Sequence, residues 1–434
     1  MKLFKTLALI ALASCCAATL NAQTKVYITG STAYRSAVHT AILHIYDTTP
    51  TPVSFGYTGT SFGGASQAIF EGTIGGVSTN IYTSWSGSEA GIQTVADPNP
   101  ATTVNFLPDS TTVSPSPGSG SAPTGTDPHK PLVAMSDTFQ STSQFNSTFN
   151  GVTYNALLEA DGTSSGHGSP VGVVPFKWCA SAGASFANIT SQLCRSLYNA
   201  GKLPLALFTG SSADETSVVI ALGRNPDSGT RLTAFAESGI GALSGVKQFE
   251  PLDSAAAQVT SPSSTITKFV NWPAETINGV PVSTFNSGYS SGGNLSKAMR
   301  AVTSDPVTIQ IGAGTKSYAA SIVTRVGYLG TSDADPNLLS GSGPALGTEL
   351  SYNGVSLGNV NGDYNTVTAL TEGKYTFWGF EHLLYNSGID TTVKGVADKL
   401  ATQLHDTDAV VKLSSMKVTR ATDGANVTAN YATP

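Results

Sequence analysis

Ser217-Val-Val-Ile-Ala-Leu-Gly-Arg-Asn-Pro-Asp-Ser-Gly-Thr230 decides the reading of this chain. Its first six residues are almost continuously apolar, the pattern of a strand buried on both faces in a parallel sheet. A polar turn rich in small residues follows. A helix with Leu232, Phe235 and Ala236 on its inner side comes next. A strand that runs through such a turn into a helix leaves the first N–H groups of that helix unpaired, beside a partial positive charge. An anion placed there gains hydrogen bonds and a favourable dipole together.

The same design recurs along the chain. Lys25 to Thr29 reads as a strand, Gly30-Ser-Thr32 as its turn, and Val38, Ala41, Ile42 and Ile45 as one face of a helix. Ser84 to Gly91 is a second Gly/Ser turn that opens a helix. Val171 to Phe176 and Ser321 to Tyr328 read as further strands, and Thr392 to Leu404 as a helix with Val393, Val396, Ala397 and Leu400 on a stripe. Alternating strands and helices predict an α/β chain with mainly parallel sheets. Residues 97–130 hold few apolar residues and many of Pro, Ser, Thr and Gly, and residues 335–370 carry many Gly and Asn. Both are expected to form surface excursions, the first of them flexible.

The N-terminus reads as an export leader. Lys2 and Lys5 precede the apolar run Leu7 to Ala13, and small residues end at Ala22, giving a cleavage site before Gln23. Leu12-Ala-Ser-Cys15 also fits a lipoprotein box, with Cys15 as the lipidated residue. The expected location is the periplasm or the cell exterior. The net charge of −6 falls two units further when Lys2 and Lys5 leave. An acidic chain with no basic run disfavours nucleic acid and anionic membranes as partners. Charged residues are only 12% of the chain, so its surface must be hydrated largely through hydroxyls and backbone.

Two cysteines follow the leader, Cys179 and Cys194. An oxidising compartment favours a disulfide between them, and their spacing does not suit zinc. The histidines at 39, 44, 129, 167, 382 and 405 are scattered, and no Gly-x-Ser-x-Gly elbow is present. No metal, no cofactor and no catalytic set is therefore expected. A structural or adhesive surface protein is the competing class, since low charge and Ser/Thr/Gly richness suit it.

Four segments in order carry a resemblance: Gly30-Ser-Thr-Ala-Tyr34, Trp85-Ser-Gly-Ser-Glu-Ala-Gly-Ile92, Leu132-Val-Ala-Met-Ser-Asp137 and Arg224-Asn-Pro-Asp-Ser-Gly-Thr230. Together they resemble the loops of the periplasmic phosphate-binding protein of the ABC phosphate importer, within the type II periplasmic solute-binding superfamily. Shorter similarities follow at Gly292-Gly-Asn-Leu295, Val326-Gly-Tyr-Leu329 and Tyr375-Thr-Phe-Trp378. The resemblance implies two α/β lobes with a ligand cleft between them: residues 24–175 with 330–434, and residues 176–329. It implies that Thr32, the Ala33 backbone, Ser88, Ser228, Gly229 and Thr230 surround a tetrahedral oxyanion and that Arg224 neutralises it. Asp137 would accept the P–O–H hydrogen that phosphate has and sulfate lacks. An ABC transporter permease would be the partner. Ala33 stands where the family has an aromatic residue, and Glu89 falls within the second loop, where it is expected to point outward. Arg35 and Arg231 adjoin the loops and are expected to be solvated.

Overall fold

The computed structural model describes residues 23–116, 125–162, 169–274, 276–277, 280–281, 287–358 and 362–430. The export leader, Cys15 and His167 lie outside them. Among the described residues no helix is long and apolar enough to cross a membrane.

The apolar runs found in the sequence become strands of one large sheet. They are β1 (Thr24–Gly30), β2 (Ser54–Tyr57), β3 (Gln67–Ile74), β4 (Val77–Ser84), β5 (Val133–Ser136), β6 (Gly172–Ala180), β7 (Lys202–Pro204), β8 (Val218–Ala221), β9 (Val323–Gly330), β10 (Thr348–Tyr352) and β11 (Trp378–Asn386). The main path through the sheet runs β7-β8-β9-β6-β11-β5-β1-β4-β3-β2, with β10 beside β6. Helices α1 (Arg35–Ile45), α2 (Ser88–Ala96), α3 (Ser191–Ala200), α4 (Gly229–Ser238), α5 (Gly292–Arg300) and α6 (Thr391–Gln403) cover its faces. Val393, Val396, Ala397 and Leu400 of α6 are buried, as their stripe predicts. All four residues of β8 are buried. The α/β class is thus the observed one.

The sheet is mixed rather than mainly parallel. β1 pairs in parallel with β4 and β5, and β8 with β9. The pairs β2–β3, β3–β4, β5–β11, β6–β9, β6–β11 and β7–β8 are antiparallel. Residues Phe249–Leu252, Thr265–Asn271, Val302–Ile311 and Gly314–Tyr318 add a separate four-stranded sheet. Within the large sheet only β3 and β4 meet in a tight hairpin, at Gly75-Gly76; the other antiparallel pairs join strands separated by longer stretches of chain, so local periodicity carries no sign of their direction.

β6 and β11 run between the two halves of the large sheet. The first part of β6 pairs with the first part of β11, from Gly172–Glu381 to Pro175–Trp378. Beyond that point β6 turns to β9 and β10, while β11 turns to β5. Large aromatic side chains fill the crossing. Trp178, Phe377 and Tyr352 pack together, with Phe176 against Phe377. The parallel strands β1, β4 and β5 end with their carboxyl termini towards the carboxyl end of β8, the place where open α/β sheets put their crevice.

Both expected excursions carry more structure than their composition suggested. In the first, Phe106 and Leu107 are buried, and the Phe106 and His129 rings pack on Tyr27 of β1. In the second, β10 lies in the sheet with Leu350 fully buried. A few well-placed aromatic and aliphatic residues anchor these segments despite their polar average.

The expected Cys179–Cys194 disulfide is absent, and both cysteines are free and buried. Successive side chains of a strand point to opposite faces. Trp178 therefore shares a core with Cys194, while Cys179 faces the core that holds Met299 and Leu329. The sheet separates the two thiols. Protein beginning at Gln23 should titrate two thiols after denaturation without reductant, and its thermal midpoint should not change with reductant; one disulfide per chain by mass would contradict this arrangement.

Candidate functional site

The turn between β8 and α4 is shaped by its own residues. Ser228 caps α4, its hydroxyl oxygen accepting from the Arg231 N–H at 3.2 Å. The first N–H groups of the helix have no turn behind them to supply acceptors. Gly229 is required by packing: a Cβ there would lie 1.8 Å from Asp137 Oδ1 and 2.8 Å from the Ser88 side chain. Gly87, before α2, has φ +114°, and a Cβ there would meet the Asp227 carbonyl oxygen at 2.3 Å. The two helix-opening turns are thus in direct contact across the crevice.

All eight residues singled out in the sequence are buried, and hydrogen bonds link five of them. Ser88 Oγ donates to Asp137 Oδ1, and the Asp137 N–H donates back to Ser88 Oγ at 3.2 Å. Thr230 Oγ1 donates to Asp137 Oδ2 at 3.1 Å. Arg224 Nη2 reaches Thr32 Oγ1 at 3.3 Å. The Glu89 N–H at the start of α2 donates to the Asp227 carbonyl at 2.9 Å. Ala33 is buried, and its carbonyl accepts from Ser332 Oγ at 2.7 Å. One cluster therefore joins the ends of β1, β4, β5 and β8.

Arg224 is 1% exposed. Its Nε and Nη2 each donate at 2.9 Å, to the carbonyls of Tyr289 and Ser290. Burial disfavours its charge, while Asp333 and Asp137 favour it. Burial likewise raises Asp137 above the usual carboxylate range, opposed by the hydroxyls of Ser88 and Thr230 and by Arg224. Two carboxylates and one guanidinium so share a dehydrated space, in which each charge is worth more than at the surface.

Arg35, Arg231 and Glu89 are placed differently from expectation. Arg35 is buried and pairs with Asp333 at 3.3 Å, beside the start of α5. Arg231 is buried, donates to the Arg224 carbonyl at 2.9 Å and covers the Phe235 ring. Glu89 points inward, is 1% exposed, and accepts from Thr138 Oγ1 at 3.1 Å and Ser143 Oγ at 2.7 Å. Burial pushes its carboxyl up to about 8. Arg35 and Glu89 find their partners far away in sequence, so single-chain spacing gave no sign of burial. Asp333 and Glu381, which also face this region, were missed for the same reason. Among the described residues no group of three or more His, Cys, Asp or Glu is set to hold a metal ion.

No family model matches the sequence, and no curated protein matches it. Solved structures do show a likeness. A substrate-binding protein of a phosphate ABC transporter from Clostridium perfringens, with bound phosphate, is 11% identical, with 90% of this chain and all of that chain covered and a TM-score of 0.42. An ABC-type phosphate transport receptor from Vibrio cholerae is 10% identical, with 88% and 96% covered and a TM-score of 0.40. A phosphate-binding protein from Stenotrophomonas maltophilia is 13% identical, with 86% and 82% covered and a TM-score of 0.37. At these identities and scores the likeness assigns no residue and no ligand.

Glu89 makes the stability of this region depend on pH. Its folded-state value of about 8 lies above the ordinary 4.5. Its contribution is therefore complete below the ordinary value and is lost as pH rises through about 8. Between pH 5 and 9 the wild type should lose on the order of a few kcal/mol that Glu89→Gln retains. Parallel pH profiles of thermal unfolding for the two proteins would refute an inward, protonated Glu89.

Proposed function

We propose that the protein captures a small tetrahedral oxyanion, inorganic phosphate first, in the crevice where β1, β4, β5 and β8 end. The observation that carries this reading is the gathering of Thr32, Ser88, Asp137, Arg224 and the Ser228–Thr230 turn into one buried cluster. In it the starts of α2 and α4 supply N–H groups and positive dipole ends. The hydroxyls of Thr32, Ser88 and Thr230 add donors. Arg224 supplies the full positive charge, in a planar fork suited to two oxygens of one anion.

Asp137 gives the site its choice of anion. Its carboxylate has two hydroxyl partners, Ser88 and Thr230, and entry of the ligand exchanges one or both for a P–O–H. Phosphate near neutral pH keeps such a hydrogen; sulfate does not. An unpaired buried acceptor costs about 1–3 kcal/mol, and more when charged, so sulfate is excluded. The two halves of the sheet act as lobes, 24–175 with 330–434 and 176–329, that separate to admit the ion and close upon it. Delivery to an ABC transporter permease outside the cytoplasmic membrane follows as the physiological role.

Titration calorimetry on phosphate-stripped protein tests the reading with phosphate, arsenate, molybdate and sulfate. Phosphate and arsenate should bind one per chain and sulfate should not. Arg224→Ala should weaken phosphate at least about a hundredfold, because a charge-assisted, buried contact is removed. Asp137→Asn should admit sulfate, since an amide can donate where the carboxylate could only repel. Flat titrations with all four ions would leave the surface-protein reading in its place.

A further inference from the structure

Glu381 lies on β11, fully buried, and among the described residues neither carboxyl oxygen has a hydrogen-bond partner of ordinary geometry. The Ser31 hydroxyl, in the loop between β1 and α1, is also fully buried and also without such a partner. The two groups face one another. β5 and β11 pair Met135 with Leu383 and Ser136 with His382. The next step of that register sets Asp137 opposite Glu381. A second carboxyl thus stands beside Asp137 on the floor of the proposed anion site. Asp137 accepts from two hydroxyls; Glu381 has only the ill-aligned Ser31 hydroxyl opposite it among the described residues.

Buried polar groups almost always have partners, and each exception asks for an explanation. The groups acting on Glu381 narrow the choice. Asp137 at the end of β5 repels its charge, and the Ser31 hydroxyl favours it only weakly. From the residue before α1, the Tyr34 hydroxyl lies in its field, and that hydroxyl oxygen accepts from the Val410 N–H. Among the described residues no cation is a main influence on Glu381. Burial and Asp137 hold the carboxyl well above the usual carboxylate range. A carboxylic acid in such a place has an O–H to give, and the oxygens of an anion are the acceptors that suit it.

We propose that Glu381 and Ser31 complete the anion site, the Glu381 carboxylic O–H being donated to a ligand oxygen either directly or through the Ser31 hydroxyl. This rests on the oxyanion reading given above and adds to it a donor from the crossing strand. Asp137 and Glu381 then play opposite parts. Asp137 accepts the ligand's hydrogen, while Glu381 gives one of its own. Loss of the Glu381 proton would remove a donor and place a second negative charge against the ion, so capture fails at alkaline pH.

The test is calorimetric titration of inorganic phosphate from pH 6 to 10, on wild type, Glu381→Gln, Glu381→Leu and Ser31→Ala, with thermal unfolding as a check on folding. Glu381→Gln keeps an N–H donor and cannot ionise. It should bind as the wild type does near neutrality and lose less affinity on the alkaline side, by about tenfold or more. Glu381→Leu should bind at least about tenfold more weakly than wild type near neutrality, with that deficit closing on the alkaline side, while melting no lower than wild type, because an unpartnered buried carboxyl is replaced by an apolar group. Ser31→Ala should fall between them. Wild-type binding with all three variants indistinguishable from it overturns the role of Glu381 and leaves the phosphate reading intact. Wild type that binds no phosphate at any pH overturns both.

Discussion

A guanidinium with almost no exposed surface sits at the meeting point of two half-sheets, and most of the surrounding arrangement follows from it. Arg224 cannot lose its proton at any ordinary pH. Its charge must therefore be met inside the protein. Two backbone carbonyls, at Tyr289 and Ser290, fix its fork, and Thr32 approaches from the other half of the molecule. Asp333 and Asp137 supply compensating charge from two further elements. Removing one member would leave an uncompensated charge in a dry interior, which costs far more than the pair contributes.

How the sequence encodes this centre can be followed residue by residue. Ser228, Gly229 and Thr230 were legible because a strand, a turn and a helix start lie in one contiguous stretch, and the chemistry of helix capping depends on neighbours only. Thr32 and Ser88 were legible for the same reason. Asp137 rested on similarity in a short motif; the structure sets it against Ser88 and Thr230. Glu89, Arg35, Asp333 and Glu381 were not legible. Each is covered by segments at long sequence separation, as with Arg35 and Asp333, which stand 298 residues apart. Charge on a short helix reads as surface until the other half of the fold covers it. The cysteine pair failed for a related reason, since strand parity set Cys179 on the face away from Cys194.

The low proportion of charged residues takes on a different meaning once the interior is known. Arg35, Glu89, Asp137, Arg224, Arg231, Asp333 and Glu381 are all buried around one crevice. A chain with 12% charged residues has placed an unusual share of them away from water. Hydroxyl groups solvate that interior: Ser88, Thr138, Ser143 and Thr230 each donate to a carboxyl oxygen there. Hydroxyls suit this task because they rotate to donate or accept as the proton count changes.

The crossing of β6 and β11 sets the mechanical character of the molecule. Only the stretch from Gly172 to Pro175, matched with Trp378 to Glu381, is common to both halves of the sheet. Any rocking of one half against the other must be absorbed as twist within those few residues, flanked by indole and phenyl rings that resist shear. Such a pivot behaves as a torsion spring with a short shaft and long arms. A slight rotation at the shaft would become a wide gape at the rim, and Glu381, seated on the shaft itself, would move least.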